Sequence, residues 1–367
     1  MGALGRARRL LIGSVVILIA IGVVMIYSAS AISASEWMGD SLYYLKRHLL
    51  YLLAGGFLVY KASRADLEAL RAWAKPVLIA AIVLLALVLV PGLGHSMHGA
   101  RRWFKLGGFG FQPSEFLKLA IIFYMADFLD RRRDSLGDLK RTVVPALVVL
   151  GISAGLIFKQ PDFGAAVTVG CVVFILFFVA GFRIAHLGAL AALAAPVVIV
   201  AILAKPYRLK RLLAFVQPWK DPRGIGYQII QSFLALGSGG LFGVGLGKSQ
   251  QKLFYLPMAH TDFIFSVIGE ELGFVGAGSV LILFVVFLFA GMVIVFRSRT
   301  FFAQLLSMGL VSLIGFQAFI NIGVSIGALP TKGLSLPFIS YGGSALLVNM
   351  LALGLLVRLS HDAEPPP

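Results

Sequence analysis

Ten apolar runs decide what this chain can fold into. Their soft-edged positions are 10–29, 46–60, 76–93, 114–130, 142–158, 163–181, 187–204, 268–296, 302–327 and 342–358. A helix needs about 17–25 apolar residues to cross a bilayer; the second and fourth runs are short and carry polar residues. Hydrophobic residues make up 59% of the 367, charged residues 13%, and mean hydropathy is +0.94. A chain of this makeup cannot hide its apolar surface inside a water-facing globule. The expectation is an all-α polytopic membrane protein of about ten transmembrane helices, one domain over 1–360, with a disordered tail over 361–367. The first run follows Arg6, Arg8 and Arg9 and ends in Ser28-Ala29-Ser30-Ala31, like a secretion signal. Its apolar core is longer than the usual about 7–15 residues and nine runs follow it, so it reads as a retained helix.

Charge sets the orientation. With both termini in the cytoplasm, the inner connections and the first residues collect 16 Lys and Arg, among them Arg131, Arg132, Arg133, Lys140 and Arg141, as the positive-inside bias requires. The outer side still holds 15, including Lys46, Arg47, Arg101, Arg102, Lys105, Arg208, Arg211, Lys248, Lys252 and Lys332. The net charge of +16 meets no nucleic acid on an outer membrane face. An anionic lipid headgroup or phosphate is the natural partner there. Long loops also translocate whatever their charge, so charge alone leaves both readings open. Cys171, the single cysteine, sits in an apolar run and reads as a small buried hydrophobe. His95 and His98 have no acidic or thiol companions for a metal and read as loop residues.

The longest connection runs from about 205 to 262, outside, between helices seven and eight. It opens with KPYRLKRLLAFVQPW, the pattern of a basic amphipathic helix lying in the interface, with Tyr207, Phe215 and Trp219 at headgroup depth. The later GSGGLFGVGLGKSQQK is not a nucleotide loop: the first glycine of GxxxxGK[ST] falls on Phe242 and no strand precedes it. It reads as a glycine-rich turn for close backbone packing near a headgroup. Then comes QKLFYLPMAHTDFIFSVIGEELGF, with Asp262, Glu270 and Glu271 in a chain of only 16 Asp and Glu. Asp262 reads as the N-cap of the following helix or as a functional acid held at the helix mouth. Glu270 lies about 12 Å farther along such a helix. That exceeds the roughly 5–9.5 Å of two carboxylates flanking one glycosidic bond, so the acids need separate roles.

Five stretches together resemble the SEDS family of cell-wall proteins (shape, elongation, division and sporulation). They are GARRWFKLGGFGFQPSEFLK at 99–118, KQPDFG at 159–164, GYQIIQSFLALGSGG at 226–240, GLGKSQQKLFYLPMAHTDFIFSVIGEELGF at 245–274 and LPTKGLSLPFISYGGSA at 329–345. The tripeptide at 331–333 is similar to the division or sporulation branch, the FtsW type, rather than the RodA type. Met258 departs from the glutamate that division-type members commonly carry there.

The resemblance implies a peptidoglycan glycosyltransferase of the bacterial inner membrane, polymerising lipid II into undecaprenyl-pyrophosphate-linked glycan at the outer face. A class B penicillin-binding protein and membrane lipids would be its partners. Asp262 would be the general base, taking the hydroxyl proton as the glycosidic bond forms. Arg101, Arg102 and Lys105 are expected to contact pyrophosphate or sugar. Glu115 and Lys118, spaced i, i+3, would line a polar cavity that Lys332 and Ser340 complete. Lys248 and His260 join the substrate-binding set, and Glu270 and Glu271 support the Asp262 helix. No metal-ligand cluster stands out; the chemistry leaves room for a magnesium or manganese ion on the pyrophosphate. A lipid II flippase and a non-enzymatic scaffold that recruits a transpeptidase are the rival readings.

Overall fold

The computed structural model describes residues 2–97, 100–107, 109–253 and 255–363. A helix overlies every one of the ten apolar runs. These are α1 (Ala3–Met38), α2 (Tyr43–Ser63), α4 (Ala74–Leu87), α5 (Pro113–Asp130), α6 (Val144–Lys159), α7 (Phe163–Val179), α8 (Ile184–Leu203), α11 (Ile264–Arg297), α12 (Phe301–Ser325) and α13 (Gly343–Asp362). The remaining helices are α3 (Leu67–Ala72), α9 (Pro206–Val216) and α10 (Tyr227–Ser238). Six are long and apolar enough to cross a membrane: α1, α6 with the one-turn π segment before it, α8, α11, α12 and α13. Two more, α4 and α7, are apolar but shorter. The other two, α2 and α5, carry Lys46, Arg47 and Lys61, and Glu115, Lys118, Asp127 and Asp130.

Packing ties the ends of the chain together. α13 runs along α2, α1 along α11, and α12 packs against α5, α7 and α11. α8 is different: along its whole length only Leu187 is buried, which leaves an apolar rod suited to lipid. Charges inside the bundle are paired, as their desolvation demands. Arg71 on α3 bonds Asp127 of α5 at 2.7 Å and also Asp130, while Arg131 takes the other oxygen of Asp127 at 2.9 Å.

Four expectations are corrected. The chain is not purely helical, because residues 95–111 form an antiparallel sheet, β1 (His95–Met97), β2 (Ala100–Leu106) and β3 (Phe109–Phe111), in the order β1-β2-β3. His95 is therefore a strand residue, paired with Trp103; His98 lies outside the described residues. The run placed at 76–93 loses its helix after Leu87. At the other end α13 extends through His361 and Asp362, into the expected tail, where Arg358 pairs with Asp362 at 3.8 Å; residues 364–367 lie outside the description.

The fourth correction concerns the glycine-rich turn. It packs closely, but onto α11 rather than toward a headgroup. At Gly273 α11 breaks (φ 69°, ψ −166°), and the segment 240–245 fills the gap: Val244 and Gly245 donate to the Glu270 and Glu271 carbonyls, and Phe274 and Val275 to those of Gly240 and Leu241. A Cβ on Gly273 would lie 2.3 Å from the Gly243 nitrogen. Only glycine allows both that approach and that φ.

Candidate active site

Four segments converge at the end of the bundle that carries residues 205–263. The first is the turn 256–263 leading into α11. Met258 adopts φ 58°, and its carbonyl collects the amides of Thr261 and Asp262, both at 3.1 Å. The cap position of α11 is Phe263, with no side-chain bond to the helix. The Asp262 carboxylate is therefore not spent on capping. It is surrounded by protein on most sides yet keeps accessible surface, so it sits at the floor of a recess.

The second segment is 329–342. Gly333 lies directly against the carboxylate: a Cβ there would be 2.9 Å from Asp262 Oδ2. Ser340, buried, donates to the Thr261 carbonyl at 2.6 Å and accepts from the Leu336 amide at 2.8 Å. Tyr341 N–H bonds the His260 carbonyl at 3.0 Å. The His260 ring lies 4.5 Å from Tyr44 and 6.0 Å from Tyr341, centroid to centroid. Burial pushes the imidazole down to about 4, so His260 is neutral at pH 7. Burial likewise pushes the Tyr341 phenol up to about 12.

The third segment is the corner between α6 and α7. Asp162 caps α7 through the Ala165 amide at 3.1 Å and accepts from Gln112 at 3.2 Å. Arg102 of β2 donates to the Gln160 and Pro161 carbonyls at 2.7 and 2.6 Å, with its third nitrogen 4.0 Å from Asp162. Lys332 lies 4.7 Å over the Phe163 ring; burial lowers its pKa, and the nearby Cys171 and Asp162 oppose that shift.

The fourth segment is α9, the basic helix expected from its sequence. Arg208 bonds the Ala201 carbonyl at 2.6 Å and the Tyr207 hydroxyl at 3.0 Å, and stands over Phe163 at 5.5 Å. That leaves Arg211, one turn on, within electrostatic reach of Asp262. Burial pushes the Asp262 carboxyl up to about 6, while Arg211, the Thr261 hydroxyl and Arg102 pull it back down. A carboxyl at about 6 is half-ionised at about pH 6 and mostly ionised at neutral pH, so it can take a proton there and give it up again.

Of the sequence-predicted residues, the structure thus gathers Asp262, Arg102, His260, Lys332 and Ser340. Arg101 instead donates to the Leu89 carbonyl at 3.3 Å. Lys105 and Lys248 are exposed. Glu115 and Lys118 form their expected pair at 2.7 Å, but the bundle closes over both, at 7% and 2% exposure. Glu270 and Glu271 turn away from Asp262 to the α11 break. Glu270 accepts from Ser249 and from Gln250 N–H (2.9 Å); Glu271 accepts from Ser28 of α1 (2.7 Å) and pairs with Lys252 (2.9 Å). Arg211, Gly333 and Asn321 were not singled out from sequence. Asn321 carried a signal, as an amide inside the apolar run 302–327. Among the described residues no three His, Cys, Asp or Glu side chains gather to hold a metal ion.

A family model described as a cell cycle protein, spanning FtsW, RodA and SpoVE, matches residues 8–364. The chain belongs to this family. It is an integral protein of the bacterial inner membrane. It is 46% identical to the probable peptidoglycan glycosyltransferase FtsW of Trichlorobacter lovleyi, over 96% of this chain and 93% of that protein. It is 41% identical to the stage V sporulation protein E of Bacillus subtilis, over 96% of each. Among solved structures, a chain of a peptidoglycan synthase complex that coordinates polymerization and crosslinking superposes with a TM-score of 0.80. The two are 34% identical, covering 96% of this chain and 97% of that one.

Proposed function

We propose that this protein is a peptidoglycan glycosyltransferase of the FtsW branch, which polymerises lipid II at the outer face of the inner membrane with Asp262 as general base. One observation carries the reading: a carboxylate left free of capping is raised toward neutral pH by burial, with Arg211 and Arg102 near enough to oppose that shift. In this reading all ten helices over the apolar runs cross the bilayer, both termini are cytoplasmic, and the four converging segments face outward. The acceptor sugar hydroxyl loses its proton to Asp262 Oδ as its oxygen bonds the anomeric carbon. The bond from that carbon to the pyrophosphate oxygen breaks on the opposite face, which inverts the centre. Arg102 and Arg211 neutralise the charge gathering on the departing pyrophosphate. The identity to FtsW and SpoVE proteins supports the division or sporulation branch, and the likeness to a synthase complex supports a class B penicillin-binding protein as partner.

The test is purified protein with its cognate transpeptidase and labelled lipid II, with glycan length read on a gel. Wild type is expected to make polymer and Asp262→Ala none. Normal polymer from Asp262→Ala would overturn the mechanism. Movement of lipid II across vesicles without polymer would favour a flippase.

A further inference from the structure

Three consecutive carbonyls of the aspartate turn are each held from outside the turn. Tyr341 N–H takes that of His260 (3.0 Å), the Ser340 hydroxyl that of Thr261 (2.6 Å), and the Asn321 side-chain amide that of Asp262 (2.9 Å). Asn321 stands apart from the other two. It sits on α12, a bundle helix, at 1% exposure, and the same NH2 group also donates to the Leu334 carbonyl at 2.7 Å. One amide thus ties the aspartate turn to the 329–342 segment, whose Gly333 touches the carboxylate. Both partners are carbonyls, so the orientation of the amide is fixed by what it bonds.

The other half of the same side chain shows what this arrangement costs. Asn321 Oδ1 is buried without a hydrogen-bond partner. A leucine of similar volume would avoid that penalty in an apolar helix. An amide there is worth its cost only for the two donors it supplies.

We propose that Asn321 is a positioning residue for the reaction, whose amide fixes the backbone of Asp262 against the 329–342 segment and so sets where the carboxylate stands. This rests on Asp262 being the base. Asn321→Leu keeps the volume and removes both donors; Asn321→Asp keeps the shape and turns an acceptor toward the two carbonyls. Asn349→Leu is the matched control. Asn349 is equally buried in α13 with its own Oδ1 unpartnered, outside both segments.

Three readouts are compared in the full complex. Hydrogen exchange of a peptide covering 256–263 is expected to rise in both Asn321 variants and to stay at the wild-type level in Asn349→Leu. The kcat is expected to fall about tenfold or more with KM little changed, since a small misplacement near the chemistry is felt strongly. The acid limb of the kcat profile is expected to move to lower pH, as a loosened carboxylate gains water; a purely structural loss would leave that limb in place. Exchange and kcat matching Asn349→Leu, or a fall in kcat that tracks the folded fraction with the limb unmoved, would overturn the proposal. Should wild type make no polymer, the reading of Asp262 falls, and the exchange measurement still decides whether Asn321 holds the turn.

Discussion

Replacing Asp262 by asparagine should stabilise the protein while abolishing its chemistry, and the gain should depend on pH in one direction only. Burial raises this carboxyl from 3.8 to about 6. That is about two units, or ~3 kcal/mol at 1.36 kcal/mol per unit. Because the group keeps some contact with solvent, screening trims the usable figure to about 1–3 kcal/mol. The sign follows from linkage. A carboxyl raised in the folded state binds its proton more tightly folded than unfolded. Its cost is absent at low pH, where both states are protonated, and grows as pH rises from the unfolded value. It is complete above about 6, where both states are ionised. Asparagine mimics the protonated acid and never bears that cost.

The assay is thermal unfolding of wild type and Asp262→Asn in the same detergent, followed at pH 4.5 and pH 8. The variant should gain a few degrees over wild type at pH 8 and clearly less at pH 4.5. A loss of stability at pH 8, or an equal gain at both values, would refute the idea that a desolvated carboxylate is being held there. It would mean that Arg102 and Arg211 draw more from the negative charge than burial takes away.

Four further outcomes follow from the same geometry. Glycan polymerisation by the wild type should lose about tenfold per pH unit below about 6, the range in which Asp262 keeps its proton; a profile flat to pH 5 would contradict it. Arg211→Ala removes a charge that holds the carboxyl down, so the acid limb should shift to higher pH and KM for lipid II should rise, both read from initial rates. Gly333→Ala introduces a Cβ 2.9 Å from Asp262 Oδ2, and should cut kcat severely while leaving the melting temperature near that of wild type. Glu271→Gln strands the Lys252 ammonium in a buried site and should cost about 3–5 kcal/mol; Glu271→Gln with Lys252→Met should recover much of it, as seen by thermal unfolding.

The helices were legible because membrane helices advertise themselves residue by residue, through runs that no soluble fold could bury. The amphipathic α9 was legible for the same reason, in its basic face and its aromatic residues. What stayed hidden depends on partners distant in the chain. The 95–111 sheet is made of strands of three and seven residues, too short for alternation to show, and its arginines were read as contacts for pyrophosphate or sugar without any sign of the strands that carry them. The glycines of 239–247 could be read as a close-packing turn, but nothing local says that the surface they approach is the break in α11. Arg211 acts electrostatically on Asp262 from α9, which Arg208 places over the Phe163 corner, and Asn321 reaches a carbonyl 59 positions away. Asp262 itself was marked by family resemblance, since its local sequence suits a cap as well as a base.

Those two readings of Asp262 make opposite electrostatic demands, and that separates them. A carboxylate that caps a helix accepts bonds from its first amides, and such bonds favour the charged form and depress the pKa. Asp162 shows such bonding in this same protein, accepting from the Ala165 amide at the start of α7. Asp262 shows the reverse. The cap position passes to Phe263, the free amides of the turn are taken by the Met258 carbonyl, and the side chain lies against Gly333 with its pKa raised by burial, which Arg211 and Arg102 oppose. Backbone bonds thus do the work that a capping side chain would otherwise do, which leaves the acid free to exchange a proton. Arg102 stands 4.0 Å from Asp162 and also acts electrostatically on Asp262, so the cap of α7 and the uncapped acid feel one guanidinium. Exchanging their roles would require the Asp262 carboxylate to leave Gly333 and turn toward the α11 amides while its own carbonyl stays tied to Asn321.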